Sequence, residues 1–355
     1  MKKKLLALCF SLLFALSLAG CAGQGEAAGD GTWDLCATTY PVYLFTCEVV
    51  KGVEDVTVTP MVNQPVSCLH DYTLTVKDMK TLEQADVILL SGAGLEESME
   101  DALETVADTP QIDCSENISL LAGEGHDHDH NHGDGDDHDA EAHEDEHEHD
   151  AEVHEDEHEH DAEAHEDEHD HEDEHAFGHT HSHETDPHLW LDPANAAAMI
   201  DNIAHHLSEL DPDHSALYLE NAAQAAEKLT ETYSELQASL SSLPCREMIT
   251  FHDGFSYFAN AFDLTIVRAI EEEAGSEASA RAITGIVDEI QFHNLPAIFT
   301  EKNGASATAE MIQRECGVTV AQLDLMMSGP LENNGIETYL TLLSDNIHSI
   351  LEAYP

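Results

Sequence analysis

Basic residues are scarce in this sequence, which has 12 Lys and Arg against 73 Asp and Glu and a formal net charge of −61. Proteins that bind nucleic acid contact its phosphates with Lys and Arg, so this balance argues against a nucleic-acid partner. The absence of any C-x-x-C pair likewise means that a thiolate zinc cluster is not indicated. A large negative charge instead suits an exported protein that attracts cations.

The N-terminus predicts a lipoprotein signal peptide over residues 1–21. Lys2–Lys4 give a basic start, and the apolar run Leu5–Leu18 is too short for a retained membrane span. Leu18-Ala19-Gly20-Cys21 resembles the lipobox of bacterial lipoproteins, which implies that Cys21 carries lipid. The alternative is an ordinary secretory signal with a chance cysteine. Residues 22–31 then form a tether rich in Gly and Ala.

Cysteine is limited to eight residues, of which Cys9 and Cys21 belong to the predicted signal. Cysteines in an exported chain can form disulfides, and six of them allow 15 connectivities. Cys245 and Cys316, which both fall in the second half, are a plausible bridge, but the sequence does not determine the pairing and leaves the first half open. The six remaining cysteines are Cys36, Cys47, Cys68, Cys114, Cys245 and Cys316.

Strand and helix patterns alternate along the chain, which predicts α/β lobes with mostly parallel sheets flanked by helices. We expect a first lobe over residues 32–210, a linking helix over 211–243 and a second lobe over 244–355. Apolar residues in the linking segment recur at intervals of three and four, so the helix should have roughly 30 residues and a length of about 45 Å. The alternative is a peripheral helix on one lobe.

The first lobe contains an insert of unusual composition at residues 126–183. This tract holds 18 of the 26 histidines and 26 of the 73 acidic residues, and it repeats D-A-E-[AV]-H-E-D-E-H-[ED]-H three times from Asp139 to His171. It has almost nothing apolar to bury, so we expect disorder without ligand. Imidazoles beside carboxylates suit zinc, copper or nickel, and we interpret the tract as a metal collector, with an acidic spacer as the alternative.

Four side chains stand at predicted strand ends or stiff turns. His188 lies between two Asp-Pro steps in D-P-H-L-W-L-D-P, where proline restricts the backbone. His70 follows a strand of the first lobe, and His252 and Asp324 each follow a strand of the second. Ligands of parallel sheets bind beyond the carboxyl ends of strands, and three imidazoles with one carboxylate suit tetrahedral zinc. Carboxylates that could orient the imidazoles are Asp71, Asp186, Asp192 and Asp253.

These motifs resemble the lipoproteins that deliver zinc or manganese to ABC transporters. The resemblance covers about Trp33 to Tyr354 apart from the tract, and rests on D-P-H-x-W-L-D-P at 186–193, F-H-D at 251–253 and L-D at 323–324. It implies two α/β lobes joined by one long helix, with the metal in the cleft between them. Manganese members carry glutamate where this chain has His252, so the resemblance favours zinc.

The resemblance has one departure, because Cys68-Leu69-His70 stands where the family commonly has D-P-H. Cys68 therefore stays open as a further ligand or a disulfide partner. The implied ligands are His70, His188, His252 and Asp324.

The implied function is extracytoplasmic metal capture by a monomer that lipid on Cys21 anchors to the membrane. The tract would gather zinc, the cleft would hold it, and a permease with a cytoplasmic ATPase would import it. A closed site with four ligands leaves no position for water, so we expect no catalysis. The alternatives are a surface adhesin, a zinc buffer, or a zinc hydrolase with Glu301 or Asp253 as its base.

Overall fold

The first lobe is built on a four-stranded sheet within the part of the chain that the structure describes. The strands are β1 (Trp33–Ala37), β2 (Val56–Pro60), β3 (Val87–Leu90) and β4 (Gln111–Asp113). Their spatial order is β2-β1-β3-β4 and each pairing is parallel. The structure is a computed structural model that describes residues 32–62, 64, 69, 72–123, 185–270, 279–304, 307–331 and 335–354.

Helices connect these strands and begin at residues that the sequence equips as caps. They are α1 (Tyr40–Val49), α2 (Val76–Gln84) and the short α3 (Glu100–Glu104). The hydroxyl of Thr75 accepts a hydrogen bond from the backbone nitrogen of Asp78, whose carboxylate accepts one from the backbone nitrogen of Thr75. This reciprocal pair satisfies two backbone donors at the start of α2.

Two long helices follow, α4 (Pro193–Leu210) and α5 (Ser215–Ser239). The Asp192 carboxylate caps α4 by accepting a hydrogen bond from the backbone nitrogen of Ala194, and Pro193 is its first residue, as predicted. Helix α5 has 25 residues and is shorter than expected, because a turn precedes it and a 3₁₀ turn follows it.

Helix α5 contacts both lobes. Near its start, the side-chain amide of Asn221 donates hydrogen bonds to the backbone carbonyls of Val49 and Lys51 in the first lobe. Near its end, the Tyr233 hydroxyl donates to the carbonyl of Ala261, in the second lobe. The helix therefore joins the lobes, and the alternative of a peripheral helix on one lobe is wrong.

The second lobe repeats the sheet topology of the first. Strands β5 (Glu247–Thr250), β6 (Thr265–Ala269), β7 (Ala297–Glu301) and β8 (Thr319–Leu323) pair in parallel in the order β6-β5-β7-β8. Every residue of β7 is buried, as expected for an inner strand covered on both faces. The helices are α6 (Ser256–Ala261), α7 (Ala280–His293), α8 (Ala307–Cys316) and α9 (Ile336–Ala353).

The two lobes share a hydrophobic core and direct polar contacts. One cluster of buried side chains extends from β1 through α4 and α5 to α9, and a smaller one lies under α7 and α8. The hydroxyl of Tyr40 donates a hydrogen bond to the carbonyl of Pro330, 2.8 Å away across the lobes. This architecture confirms the predicted fold class. Within the described ranges, none of the helices has the length and apolar character needed to cross a membrane.

The plausible bridge between Cys245 and Cys316 does not form, because both thiols are free. Each donates instead to a nearby carbonyl, that of Glu247 at 3.5 Å and that of Ile312 at 2.9 Å. Burial, followed by the charge of Asp78, raises the pKa of Cys36 to about 12, which suppresses its thiolate form. Cys21 and Cys68 lie outside the described residues, as does the tract at 126–183.

Candidate metal centre

His188 is held on a turn that begins where the chain returns from the insert. Ala122 and Thr185, which flank the insert in sequence, form an antiparallel bridge, and the backbone nitrogen of Asp186 donates to the carbonyl of Leu121 at 3.0 Å. Pro187 then restricts the backbone, and His188 is only 1% exposed. The imidazole is therefore fixed against the first lobe before α4 begins.

The Asp186 carboxylate determines how His188 presents its ring. One oxygen, Oδ1, lies 2.8 Å from the ring Nδ1 and accepts a hydrogen bond from the backbone nitrogen of His188 at 2.9 Å. A proton on Nδ1 satisfies this carboxylate and leaves a lone pair on Nε2. Metal-binding histidines commonly have such a carboxylate behind them, because it orients the ring and raises its basicity.

His252 has the same arrangement at the carboxyl end of β5. Its Nδ1 lies 2.7 Å from Oδ1 of Asp253, and the backbone nitrogen of Gly254 lies 3.2 Å from the same ring nitrogen. A protonated Nδ1 can donate to Asp253 but cannot accept a hydrogen bond from Gly254. The contact with Asp253 is shorter and charge-assisted, so it favours the tautomer with the proton on Nδ1. The ring is buried, and Nε2 again has its lone pair.

The two imidazoles meet edge to face, with ring centroids 5.1 Å apart and an interplanar angle of 85°. Two rings that share one tetrahedral zinc, with Zn–N bonds of about 2.0–2.1 Å, have centroids roughly 5 Å apart. Gly254 makes this approach possible, because a Cβ at its position would lie 2.7–2.8 Å from the His188 ring. The ring spacing is therefore the one expected of two ligands to a single ion.

Asp324 follows β8 and is 9% exposed. Its Oδ1 accepts a hydrogen bond from the backbone nitrogen of Met326 at 2.7 Å, and its Oδ2 accepts one from the Lys302 ammonium at 2.9 Å. The side chain of Asn346 fixes the backbone of Asp324 from both sides, at 2.7 Å and 2.9 Å. Position and rotamer are thus set by contacts from three different elements.

Trp190 connects the turn of His188 with the loop that begins at Asp324. Its ring centroid lies 5.4 Å from that of His188, and its indole nitrogen donates to the carbonyl of Leu325 at 2.9 Å. The hydroxyl of Tyr339 on α9 donates to the carbonyl of Trp190 at 2.6 Å. Groups from both lobes therefore hold these two segments side by side.

The structure brings together two of the four predicted ligands, His188 and His252. His70 lies outside the described residues, as does Asp71. Among the residues that the structure describes, no group of three or more His, Cys, Asp or Glu side chains is arranged to hold an ion. Asp186 and Asp253 contact the imidazoles as expected, whereas Asp192 caps α4 instead.

Two residues at this edge of the second sheet have surroundings that the sequence did not indicate. Thr250 pairs with Phe299, so His252 and Glu301, each two positions further along, lie at neighbouring strand ends. Glu301 is buried there, whereas we considered it only as a base in the hydrolase alternative. Lys302 contacts Asp324, and no sequence motif indicates that contact.

A family model supplies an independent comparison. The model described as "Zinc-uptake complex component A periplasmic" matches residues 35–353 of this chain. The match includes both lobes and all four predicted ligand positions.

Individual proteins agree with this match. The zinc-binding protein AdcA of Streptococcus pyogenes serotype M3 is 26% identical over 360 residues, which cover 99% of this chain and 61% of that protein. The iron-binding protein YfeA of Yersinia pestis is 23% identical over 320 residues, covering 89% and 85% of the two chains. This chain therefore spans about three fifths of the length of its streptococcal relative.

A solved structure shows the same fold. The crystal structure of ZnuA superposes with a TM-score of 0.66 at 24% sequence identity and covers 91% of this chain and 100% of that one. Because the family model matches most of the sequence, the chain belongs to the zinc-uptake complex component A family, whose members are metal-binding transporter components and not enzymes, as the sequence predicted.

Proposed function

We propose that this protein captures Zn²⁺ outside the cytoplasm and delivers it to an ABC permease. The ion is bound between the lobes by His188 from the first lobe and His252 from the second. His70 and Asp324 complete the proposed ligand set.

The observation that carries this proposal is the pair of imidazoles whose centroids lie 5.1 Å apart. Each ring has a carboxylate at Nδ1, and both rings are buried. Two neutral imidazoles backed by carboxylates form a strong site for a borderline-soft divalent ion. A packing role alone would not require a carboxylate behind each of two adjacent rings.

Support for Asp324 comes from its surroundings. The loop that it begins is hydrogen-bonded to Trp190, two residues after His188. A buried carboxylate on this loop would supply an anionic ligand and lower the net charge of the bound ion. With a histidine from the loop after β2, the donor set would be three nitrogens and one oxygen, which zinc accepts.

Zinc is the favoured metal because the donors include at least two imidazoles. Manganese prefers carboxylate and carbonyl oxygens, and nitrogen ligands shift the preference toward zinc. The streptococcal relative is named for zinc and the Yersinia relative for iron, so relatedness alone does not fix the metal. The residue at position 252 is therefore part of the proposal.

The remaining parts of the proposal concern segments outside the described residues. Lipid on Cys21 would keep the protein, as a monomer, at the outer face of a membrane. The histidines of residues 126–183 would collect ions, because imidazoles and carboxylates alternate along this segment. A permease with its cytoplasmic ATPase would then receive the metal.

Zinc titration of the full chain and of a chain lacking residues 126–183 tests this function. In competition with a chromophoric chelator, both proteins should retain one tight zinc, and His252→Ala should lose it. His252→Glu should move the preference toward manganese. Retention of tight zinc by His252→Ala, or its loss in the deletion alone, would contradict the cleft assignment.

A further inference from the structure

The pairing of β7 with β8 places a lysine beside the proposed anionic ligand. Glu301 pairs with Leu323, and the backbone nitrogen of Lys302 donates to the Leu323 carbonyl at 2.9 Å. The next residues on the two strands, Lys302 and Asp324, are therefore neighbours across the edge of the sheet. Their side chains form an ion pair of 2.9 Å between Nζ and Oδ2.

The ion pair with Lys302 engages Oδ2 of Asp324, which is the oxygen that would bind the metal ion. Oδ1 already accepts the backbone nitrogen of Met326, so Oδ2 is the oxygen that is free to change partners. The side chain of Lys302 is 58% exposed, whereas that of Asp324 is only 12% exposed. A flexible, strongly hydrated ammonium can move into solvent with a small free-energy change, while the carboxylate stays in place.

We infer that Lys302 is a built-in counter-ion that competes with the metal for Asp324 and sets how tightly the metal is held. This inference rests on the proposed function, because it requires Asp324 to be a ligand. When the metal leaves, the ammonium returns to Oδ2 and neutralises the carboxylate. When the metal binds, the ammonium swings out, and part of the binding free energy is spent on breaking the ion pair.

The charges near the site explain why such a residue is useful. Asp186 and Asp253 contact the two imidazoles, and Glu301, which directly precedes Lys302 in the chain, is buried. Carboxylates with no cation between them repel one another, and one extra positive charge relieves that repulsion when the metal is absent. A transport protein must also release its ion, so lower affinity assists delivery.

The size of the effect follows from the exposure of the lysine. Ion pairs with a solvent-exposed partner contribute little, and a factor of ten in affinity corresponds to about 1.4 kcal/mol. Removing the ammonium should therefore strengthen zinc binding by about twofold to fivefold. Arginine keeps the charge and should keep the competition.

The experiment compares Lys302→Met and Lys302→Arg in the full chain, with Lys77→Met as a control that removes one exposed positive charge elsewhere. Zinc affinity and zinc release are measured against a chelator, and unfolding without zinc is measured to verify folding. Lys302→Met should bind zinc more tightly and release it more slowly. Lys302→Arg and Lys77→Met should match the unmodified protein. Equal or weaker zinc binding by Lys302→Met overturns the inference.

Asp324→Asn separates this inference from the proposed function. In the unmodified background it should weaken zinc binding, and in its presence Lys302→Met should no longer strengthen binding. If strengthening persists without the carboxylate, Lys302 does not act through Asp324 and the inference fails alone. If Asp324→Asn leaves zinc binding unchanged, Asp324 is not a ligand, and both the inference and the proposed ligand set fall.

Discussion

Trp190 donates a hydrogen bond from its indole nitrogen to the backbone carbonyl of Leu325, 2.9 Å away. Both residues are buried, and the bond joins the turn that carries His188 to the loop that begins at Asp324. This side chain, which binds no metal, therefore contributes to the relative position of two proposed ligands from different lobes.

Replacing Trp190 with Phe tests this role. The variant leaves the buried carbonyl of Leu325 without its donor, which should lower the free energy of unfolding by about 1–3 kcal/mol. Zinc affinity should fall as well, because the turn that carries His188 and the loop that begins at Asp324 lose the hydrogen bond that joins them. Trp33→Phe, which alters the other tryptophan of the chain, should change zinc affinity little. Equal zinc affinities in the two variants, measured by chelator competition, would show that the indole does not position the site.

Removing the carboxylate behind His188 should weaken zinc binding. Asp186→Ala frees the ring to rotate and removes the acceptor that fixes its tautomer, so zinc affinity should fall by about 10–100-fold. Asp186→Asn keeps an acceptor oxygen and should lose less. Asp201→Ala, at an exposed aspartate on α4, is the control and should have no effect. If Asp186→Ala binds zinc normally in a titration, the carboxylate does not orient a ligand.

Gly254 should tolerate no side chain. The Cβ of Gly254→Ala would approach atoms of the His188 ring to 2.7–2.8 Å, and that ring is buried and held by Asp186. We expect loss of tight zinc binding and a lower melting temperature. Gly285→Ala is the matched control, because its nearest contact is 3.8 Å away and alanine is favoured within a helix by up to about 1 kcal/mol. Zinc binding by Gly254→Ala that equals this control would contradict the packing described.

Glu48 links the lobes at the start of α9. Its Oε2 accepts a hydrogen bond from the backbone nitrogen of Ile336 at 3.3 Å, although it belongs to α1 of the other lobe. Because an acidic group at a helix N-terminus acts as a cap, Glu48→Ala should lower the free energy of unfolding by about 1 kcal/mol. Hydrogen exchange in the first turn of α9 should accelerate. The same changes in Glu54→Ala, at an exposed site, would mean that the cap is not responsible.

Asp192 predicts a pH dependence of stability. Burial raises the pKa of this carboxyl, while hydrogen bonds from the backbone nitrogens of Ala194 and Asn195 lower it in part. A raised pKa in the folded state means that the contribution of Asp192 to stability is largest below the unfolded value, about 3.9, and is lost as pH rises through the folded value. Asparagine in Asp192→Asn also caps a helix but does not titrate, so this variant should lack the contribution that changes with pH. Asp192→Ala should lower the free energy of unfolding by about 1 kcal/mol. If the free energies of unfolding of Asp192→Asn and the unmodified protein change with pH in parallel, this prediction is contradicted.

The sequence predicts the fold well because local signals agree with the global topology. Buried strands such as β3 and β7 read as short apolar runs, and Asp192 with Pro193 marks the start of α4. Asp78 shows the limit. Aspartate on a helix is mostly exposed, but the Asp78 carboxylate on α2 is buried, where it accepts hydrogen bonds from Tyr72 and from Thr75.

The site is less predictable because its support comes from residues that are distant in sequence. His188 and His252 could be identified from their motifs, but the contact of Trp190 with Leu325 spans 135 positions. Lys302 faces Asp324 only because of the register of β7 and β8, which composition cannot give. Local motifs can also mislead. The letters H-E-x-x-H occur four times, first at His143–His147, but all four lie in the tract and outside the described residues.

Crystallography of the full chain with zinc, using anomalous scattering at the zinc absorption edge, tests the central claim most directly. The account predicts one strong peak between the lobes, about 2.0–2.1 Å from Nε2 of His188 and from Nε2 of His252. A peak bonded to neither imidazole, or zinc held only by residues 126–183, would contradict it.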